Sequence, residues 1–207
     1  MTQSFSHQTY GAIDVAYLPE LEGGGISFGQ EFVPVVTKLF GHIDHVFEFC
    51  AGPGFIGFSL LAHGLCDRLT LADVNPAAVE VCKQTIASNG LEDKCRVFLS
   101  DCLDSIPAEQ SFDLVVGNPP HWPVSPGEDR KLLRNDIALV LHKRFYKDIP
   151  SYLKPAGTIL MQENGRATSE NDFRRMIEND GKLRVTDVFK AVSYPMYYFI
   201  MSKRVCP

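Results

Sequence analysis

No apolar run in this sequence approaches the roughly 18 residues that a membrane span requires, so no transmembrane segment is expected. The opening MTQSFSHQTYGAID lacks the basic segment followed by an apolar one that marks a secretory leader, and a cytoplasmic location is expected. There are six cysteines, at 50, 66, 82, 95, 102 and 206, but no C-x-x-C pair. Most fall in apolar segments, which reads as reduced core thiols and disfavours a disulfide framework. H-E-x-x-H is also missing, and His42, His45, His63, His121 and Cys50 show no metal-ligand spacing, so no metal is expected. Positive charge is in deficit: the formal net charge is −5, which argues against wrapping nucleic acid by bulk electrostatics and leaves open only a local basic patch. Internal repeats and low-complexity segments are absent.

What is present is the composition of a globular domain, 207 residues with 45% hydrophobic and 22% charged. Residues 1–26 hold few apolar runs and finish in Glu22-Gly23-Gly24-Gly25, an N-terminal arm or lid ahead of a main domain at 27–207. From Ser27, read as an N-cap, the spacing of Phe28, Phe32, Val35, Val36, Leu39 and Phe40 predicts a helix stopping at Gly41. After it, strand and helix patterns alternate. Strands are predicted at 45–49, 69–73, 96–99, 112–117 and 158–161, and helices lie between them, including one from Asn75-Pro76 to Asn89-Gly90, one over 137–153 and one over 169–180. Alternation of this kind predicts an α/β fold with a mostly parallel sheet and helices on both faces. Two closing strands, 183–189 and 196–202, are joined too briefly for a parallel crossover and are expected to pair antiparallel.

Two stretches carry chemistry. Gly52-Pro53-Gly54-Phe55-Ile56-Gly57 follows one strand and opens a helix, with Asp73 sixteen residues beyond its last glycine; such a loop brings backbone close to a ligand, and an acid at the next strand end takes ribose hydroxyls. A nicotinamide dinucleotide suits the loop equally. Glu48, just before it, would repel a pyrophosphate but receive an ammonium group, and Asp101 closes a third strand; three acids at successive strand ends suit a cationic nucleoside better. The second stretch, Asn118-Pro119-Pro120-His121-Trp122, stops a valine-rich strand abruptly. It sets a stiffened acceptor beside two rings, which suits a planar group bearing NH2. Ser59 sits in an apolar helix without a nucleophile-elbow sequence. Arg130, Lys131 and Arg134 fit either a solvated helix face or a contact with an acidic substrate, and Tyr194, Tyr197 and Tyr198 fit either core or pocket edge.

Glu48 with the glycine loop, Asp73, Asp101 and Asn118-Pro119-Pro120 together resemble the class I S-adenosylmethionine-dependent methyltransferases, in the amino-methylating branch marked by an N-P-P-aromatic tetrad. The resemblance covers roughly residues 27–203. It implies a Rossmann-like seven-stranded sheet with the last strand inserted antiparallel, S-adenosylmethionine as cofactor and S-adenosylhomocysteine as product. It also implies roles: the Gly52 and Gly54 backbone beside the methionine part, Asp73 on the ribose, Asp101 near the adenine amine, and Glu48 under the amino group or holding the loop. Asn118 and the Pro119 carbonyl would accept the two hydrogens of the target NH2, with Pro120, His121 and Trp122 facing the substrate. Two positions depart from the pattern: Cys50 replaces the loop's first glycine, and His121 replaces the tetrad's tyrosine or phenylalanine. The expected acceptor is a planar amide or amine nitrogen, glutamine-type and carried by a protein; a small molecule or an exocyclic amine of RNA or DNA is the alternative. A nicotinamide-dependent oxidoreductase and an inactive cofactor-binding scaffold are the competing classes, and the oligomeric state is not legible.

Overall fold

The computed structural model describes residues 4–122 and 135–205. The chain divides into two compact units, Met1–Ile106 and Pro107–Pro207, each built by a different logic.

In the first unit β1 (Ser6–Tyr10) and β2 (Ile13–Tyr17) form an antiparallel hairpin turned at Gly11, whose φ is +52°. One face of β2 is apolar, and Val15 and Ala16 are fully buried. The Ala16 amide donates to Thr85 Oγ1, the Asp14 amide donates to Asn89 Oδ1, and Asn89 Nδ2 returns a bond to the Asp14 carbonyl, each at 2.9 Å. The stretch read as an arm therefore carries a hairpin fastened by side chains some seventy residues away. Next come α1 (Gly25–Phe28), a 3-10 turn at Gly29–Glu31 and α2 (Phe32–Leu39). The expected single helix is thus broken, and Ser27 lies inside α1 while Gly24 caps it. Close approach explains the glycines: a Cβ on Gly25 would lie 2.7 Å from the Phe55 ring and one on Gly29 3.3 Å from Ile56.

β3 (Ile43–Phe49), α3 (Phe55–Ala62), β4 (Cys66–Asp73), α4 (Pro76–Ser88) and β5 (Cys95–Leu99) complete this unit. β3 pairs parallel with β4, and β4 with β5. Phe55 to Leu61 are all buried, so α3 is apolar on every side, as a core helix must be. Asn75 caps α4 as expected: its side chain accepts from the Ala77 amide at 3.0 Å, and Pro76, which lacks an N–H, takes the first position.

The second unit contains β6 (Phe112–Gly117), α5 (Val140–Asp148), β7 (Leu153–Asn164), α6 (Glu170–Glu178), β8 (Leu183–Lys190) and β9 (Tyr197–Arg204). The helix expected over 137–153 is α-helical only across α5; its flanks, Ile137–Leu139 and Ile149–Tyr152, are 3-10 turns, the second holding Pro150, which cannot continue the helical ladder. Residues 123–134, with the basic cluster Arg130, Lys131 and Arg134, lie outside the described residues. β6 and β7 pair parallel, while β9 pairs antiparallel with both β7 and β8.

The strands β3 to β9 fall in a mixed, mostly parallel seven-stranded sheet ordered β5-β4-β3-β6-β7-β9-β8. The last strand is therefore inserted antiparallel, as expected. Among the described residues no helix is long and apolar enough to cross a membrane.

β7 begins earlier than its sequence suggests because Lys154-Pro155-Ala156-Gly157 bulges within it: Leu153 faces Phe112, and pairing resumes with Thr158 opposite Leu114. The backbones close tightly there, since a Cβ on Gly157 would stand 2.8 Å from the Phe112 carbonyl oxygen. Gly157→Ala is expected to destabilise the fold by about 2 kcal/mol, measured as a lower urea midpoint at unchanged m-value.

Candidate active site

β3 ends in an abrupt turn that carries the glycine loop. Cys50, Gly52 and Gly54 all have left-handed backbones, with φ of +52°, +52° and +80°. Cys50 thus occupies a conformation natural to glycine, at a cost of roughly 1–2 kcal/mol for an L-residue. The glycines serve different ends. A Cβ on Gly54 would meet the Phe58 ring at 2.7 Å, and one on Gly57 would meet Leu69 at 2.6 Å and Glu48 Oε2 at 2.7 Å, so these two permit close packing inside the protein. Gly52 alone has space, its nearest neighbour being the Leu21 carbonyl oxygen at 3.9 Å. It is the loop glycine whose α-carbon has open space beside it.

Glu48 is 2% exposed and accepts the Gly57 amide on Oε2 at 2.7 Å. The contact it makes is thus to the first turn of α3. Burial pushes its carboxyl up to about 8, against the amides of Gly57 and Ile56, which favour the ionised form. Asp73, at the end of β4, accepts the Gly52 amide at 2.8 Å and the Asn75 amide at 2.9 Å. Burial raises its pKa too. The Cys82 thiol donates to the Gly52 carbonyl at 3.2 Å, fixing the other side of that residue. Asp101, beyond β5, is exposed. The first unit therefore gathers Glu48, Cys50, Gly52, Gly54 and Asp73 around one loop, with Asp101 at the next strand end. His45 bonds Thr70 Oγ1 at 2.9 Å, and His63 bonds the Ser59 carbonyl at 2.7 Å.

In the second unit β6 stops at Gly117, and the Pro119-Pro120 pair stiffens the turn beyond it. Asn118 Oδ1 is buried and has no hydrogen-bond partner among the described residues. The His121 ring is 6% exposed and lies 6.2 Å from the rings of both Trp122 and Tyr197. Trp122 is half-buried, and its carbonyl accepts the Asp136 amide at 3.1 Å and Asn135 Nδ2 at 3.3 Å.

Behind His121 runs a row of buried polar side chains that the sequence pattern does not single out. His121 Nδ1 is 3.5 Å from Glu163 Oε2; Glu163 Oε1 is 3.1 Å from His142 Nε2; His142 Nδ1 is 2.7 Å from Asp136 Oδ2. Asp136 also accepts the Leu141 and His142 amides at 3.0 and 3.1 Å, capping α5. Burial opposes charge on His142, yet the carboxylates on either side overcome it and push its pKa up to about 9. Burial also lowers His121, only partly offset by Glu163. The signal in the sequence is thin, an acid and an asparagine at the end of an apolar strand and a histidine in an amphipathic helix, with no spacing to join them.

Glu48 carries a testable consequence. Its folded pKa, about 8, lies above the ordinary 4.5, so the native state holds a proton that the unfolded chain has lost. Stability from this group is therefore whole below the ordinary value and declines as pH rises toward 8. Glu48→Gln keeps an acceptor for Gly57 and removes the charge. We expect it to flatten the decline between pH 5 and 8, a slope of up to ~1.4 kcal/mol per pH unit, as read by denaturation at several pH values.

The chain is similar to several known proteins. Over 112 residues the chain is 39% identical to the release factor glutamine methyltransferase of Leptospira interrogans, covering 52% of this chain and 38% of that protein. Over 97 residues it is 37% identical to the ribosomal RNA small subunit methyltransferase C of Salmonella choleraesuis, covering 46% and 27%. It spans about a quarter to a half of the length of the curated relatives it matches. Among solved structures, the Thermus thermophilus 16S rRNA N2 G1207 methyltransferase in complex with AdoMet and guanosine shares the fold, with a TM-score of 0.68 at 16% identity over 98% of this chain and 50% of that one. The Methyltransferase small domain model matches residues 31–193, and the chain belongs to that family.

Proposed function

We propose that this chain is an S-adenosylmethionine-dependent methyltransferase that methylates a planar amide or amine nitrogen, a glutamine-type side chain of a protein being the favoured acceptor. The observation that carries the reading is Asn118 Oδ1: a buried acceptor without a partner lacks a bond worth about 1–3 kcal/mol, and an NH2 hydrogen supplies it. The Pro119 carbonyl takes the second hydrogen. Two such bonds hold the nitrogen in one orientation with its lone pair directed outward, so positioning contributes much of the rate. The dry surroundings keep water from competing for the same acceptors. Pro120 and Trp122 form the flat surface against the acceptor's plane, and His121 stands at its edge.

In the donor half, Gly52 is the position where backbone meets ligand, and Asp73, held at the strand end by two amides, presents a carboxylate to ribose hydroxyls. Asp101 lies toward the adenine amine. Glu48 shapes the loop from beneath and places an acid near the methionine ammonium. These features fit S-adenosylmethionine, which supplies a methyl group on a sulfonium centre; Asp73 and Asp101 at two strand ends fit a pyrophosphate poorly, which disfavours a nicotinamide cofactor. The buried thiols of Cys66, Cys82 and Cys95 suit a reducing, cytoplasmic setting. The ribosomal RNA methyltransferases among the relatives favour an exocyclic base amine as the second reading.

Asn118→Ala is expected to lower turnover by about 100-fold or more while leaving S-adenosylhomocysteine affinity, measured by calorimetry, nearly unchanged. Unaltered turnover would remove the asparagine from the mechanism. Transfer of tritiated methyl groups into a lysate, then separated into protein, nucleic acid and small molecules, identifies the acceptor class; label confined to RNA would establish the second reading.

A further inference from the structure

The row Asp136–His142–Glu163–His121 is built at a cost that the fold alone does not require. Four ionisable side chains from three places in the second unit meet with no more than 6% exposure, on a loop, on a strand and at the start of a helix. Burying such groups is unfavourable unless each is paired. Three are: Asp136 by His142 and two amides, His142 by both carboxylates, Glu163 by His142. The last link is open. Glu163 Oε2 and His121 Nδ1 face each other at 3.5 Å, and neither atom has a hydrogen-bond partner among the described residues. With His142 carrying a proton between two carboxylates, the row is one positive charge short, and the place for that charge is His121.

Methyl transfer moves the positive charge of the sulfonium onto the target nitrogen. We propose that His121 is the proton acceptor of the methyl-transfer step and that Glu163, His142 and Asp136 are the positioning residues that hold it for this task. The inference rests on the methyltransferase reading above. The target nitrogen gives its lone pair to a new N–C bond while the S–C bond breaks, the electron pair of that bond remaining on sulfur. The nitrogen is then cationic. It passes the N–H proton that had bonded the Pro119 carbonyl to His121 Nε2, the His121 ring lying within hydrogen-bond reach of that carbonyl, and keeps the electrons of that bond. His121 becomes an imidazolium whose Nδ1–H closes on Glu163 Oε2, completing the row, and the proton leaves to solvent after the product departs. Burial keeps His121 neutral beforehand, as a base must be. This arrangement gives the histidine at residue 121 a role that a plain aromatic ring cannot take.

Other titratable groups around the row are few. Tyr197 from β9 packs edge-on to His121, and Glu163 also faces Tyr146 from α5 and Tyr198 from β9, both of whose hydroxyls are driven further from ionisation. Neither Tyr146 nor Tyr198 can substitute for the histidine as a base near neutrality.

The test uses the full chain, S-adenosylhomocysteine as the binding probe, and single-turnover transfer of labelled methyl from S-adenosylmethionine into the protein fraction of a lysate, at pH 5.5 to 9. The wild type should show a rate that rises with pH as His121 loses its proton. In His121→Phe that limb should vanish and the rate at pH 7.5 fall by about 100-fold or more, with S-adenosylhomocysteine binding intact. Glu163→Gln should move the limb to lower pH by about one unit, since a carboxylate that favours the imidazolium has gone, and lower the plateau. Histidine nitrogen NMR on the same proteins should show His121 neutral at pH 7 with its proton on Nδ1, and a downward shift of both His121 and His142 titrations in Glu163→Gln; Asp136→Asn reports through His142 if that variant does not fold. Failure of the wild type to bind S-adenosylhomocysteine overturns the methyltransferase reading and this inference with it. Binding and transfer that persist in His121→Phe with an unchanged acid limb overturn this inference alone.

Discussion

A carboxyl group sealed inside the first unit governs the shape of everything around it. Glu48 sits at the end of β3 with its Oε2 against the Gly57 amide, so the strand, the loop and the start of α3 are tied at one point. That single bond forces the residues between them into a tight path, and the left-handed turns at Cys50, Gly52 and Gly54 are the way the backbone completes it. A side chain on Gly57 would occupy the place of the carboxylate oxygen. The glycine and the acid therefore specify each other, and α3 can be buried on all sides because its first amides, which have no partner within the helix, meet the Glu48 carboxyl.

The second unit solves a related difficulty in another way. There, the buried carboxylate on β7 meets an imidazole that is itself backed by Asp136, and the charge is spread along a row instead of being suppressed by protonation. Glu48 is driven toward its neutral form, while His142 is driven toward its charged one. Burial acts on both; the difference is the partner. Backbone amides alone do not overcome the desolvation of Glu48, whereas two carboxylates do overcome that of His142.

Much of this was legible in the chain because its strands end on strong punctuation. Valine runs stopped by Gly117 and Pro119, an apolar run stopped by Asp73, and the Asn75-Pro76 cap are local signals whose physics does not depend on the rest of the fold. The N-terminal hairpin was missed because β1 is largely polar, Ser6-His7-Gln8-Thr9, and only the tie of its partner strand to Thr85 and Asn89 makes it structure. The break at Gly29 was hidden because the helical spacing continues across it, and Ile56, whose close approach leaves little room for a side chain there, is distant in sequence. The polar row was invisible for the same reason. Asp136, His142 and Glu163 have no fixed spacing, and each taken singly resembles a cap, a helix face or a strand end.

The bulge at Lys154 to Gly157 acquires a further meaning beside that row. Side chains on a strand alternate between faces, and between the paired positions β7 spends five residues where β6 spends two. The surplus is odd, so the bulge inverts the facing of every residue after it. Which of the two neighbours, Gln162 or Glu163, is turned toward His142 is decided there, well before either is reached along the chain. Length change in this segment is consequently a matter of parity: a gain or loss of two residues conserves the order of faces, and a change of one exchanges an amide for the acid on which the row depends.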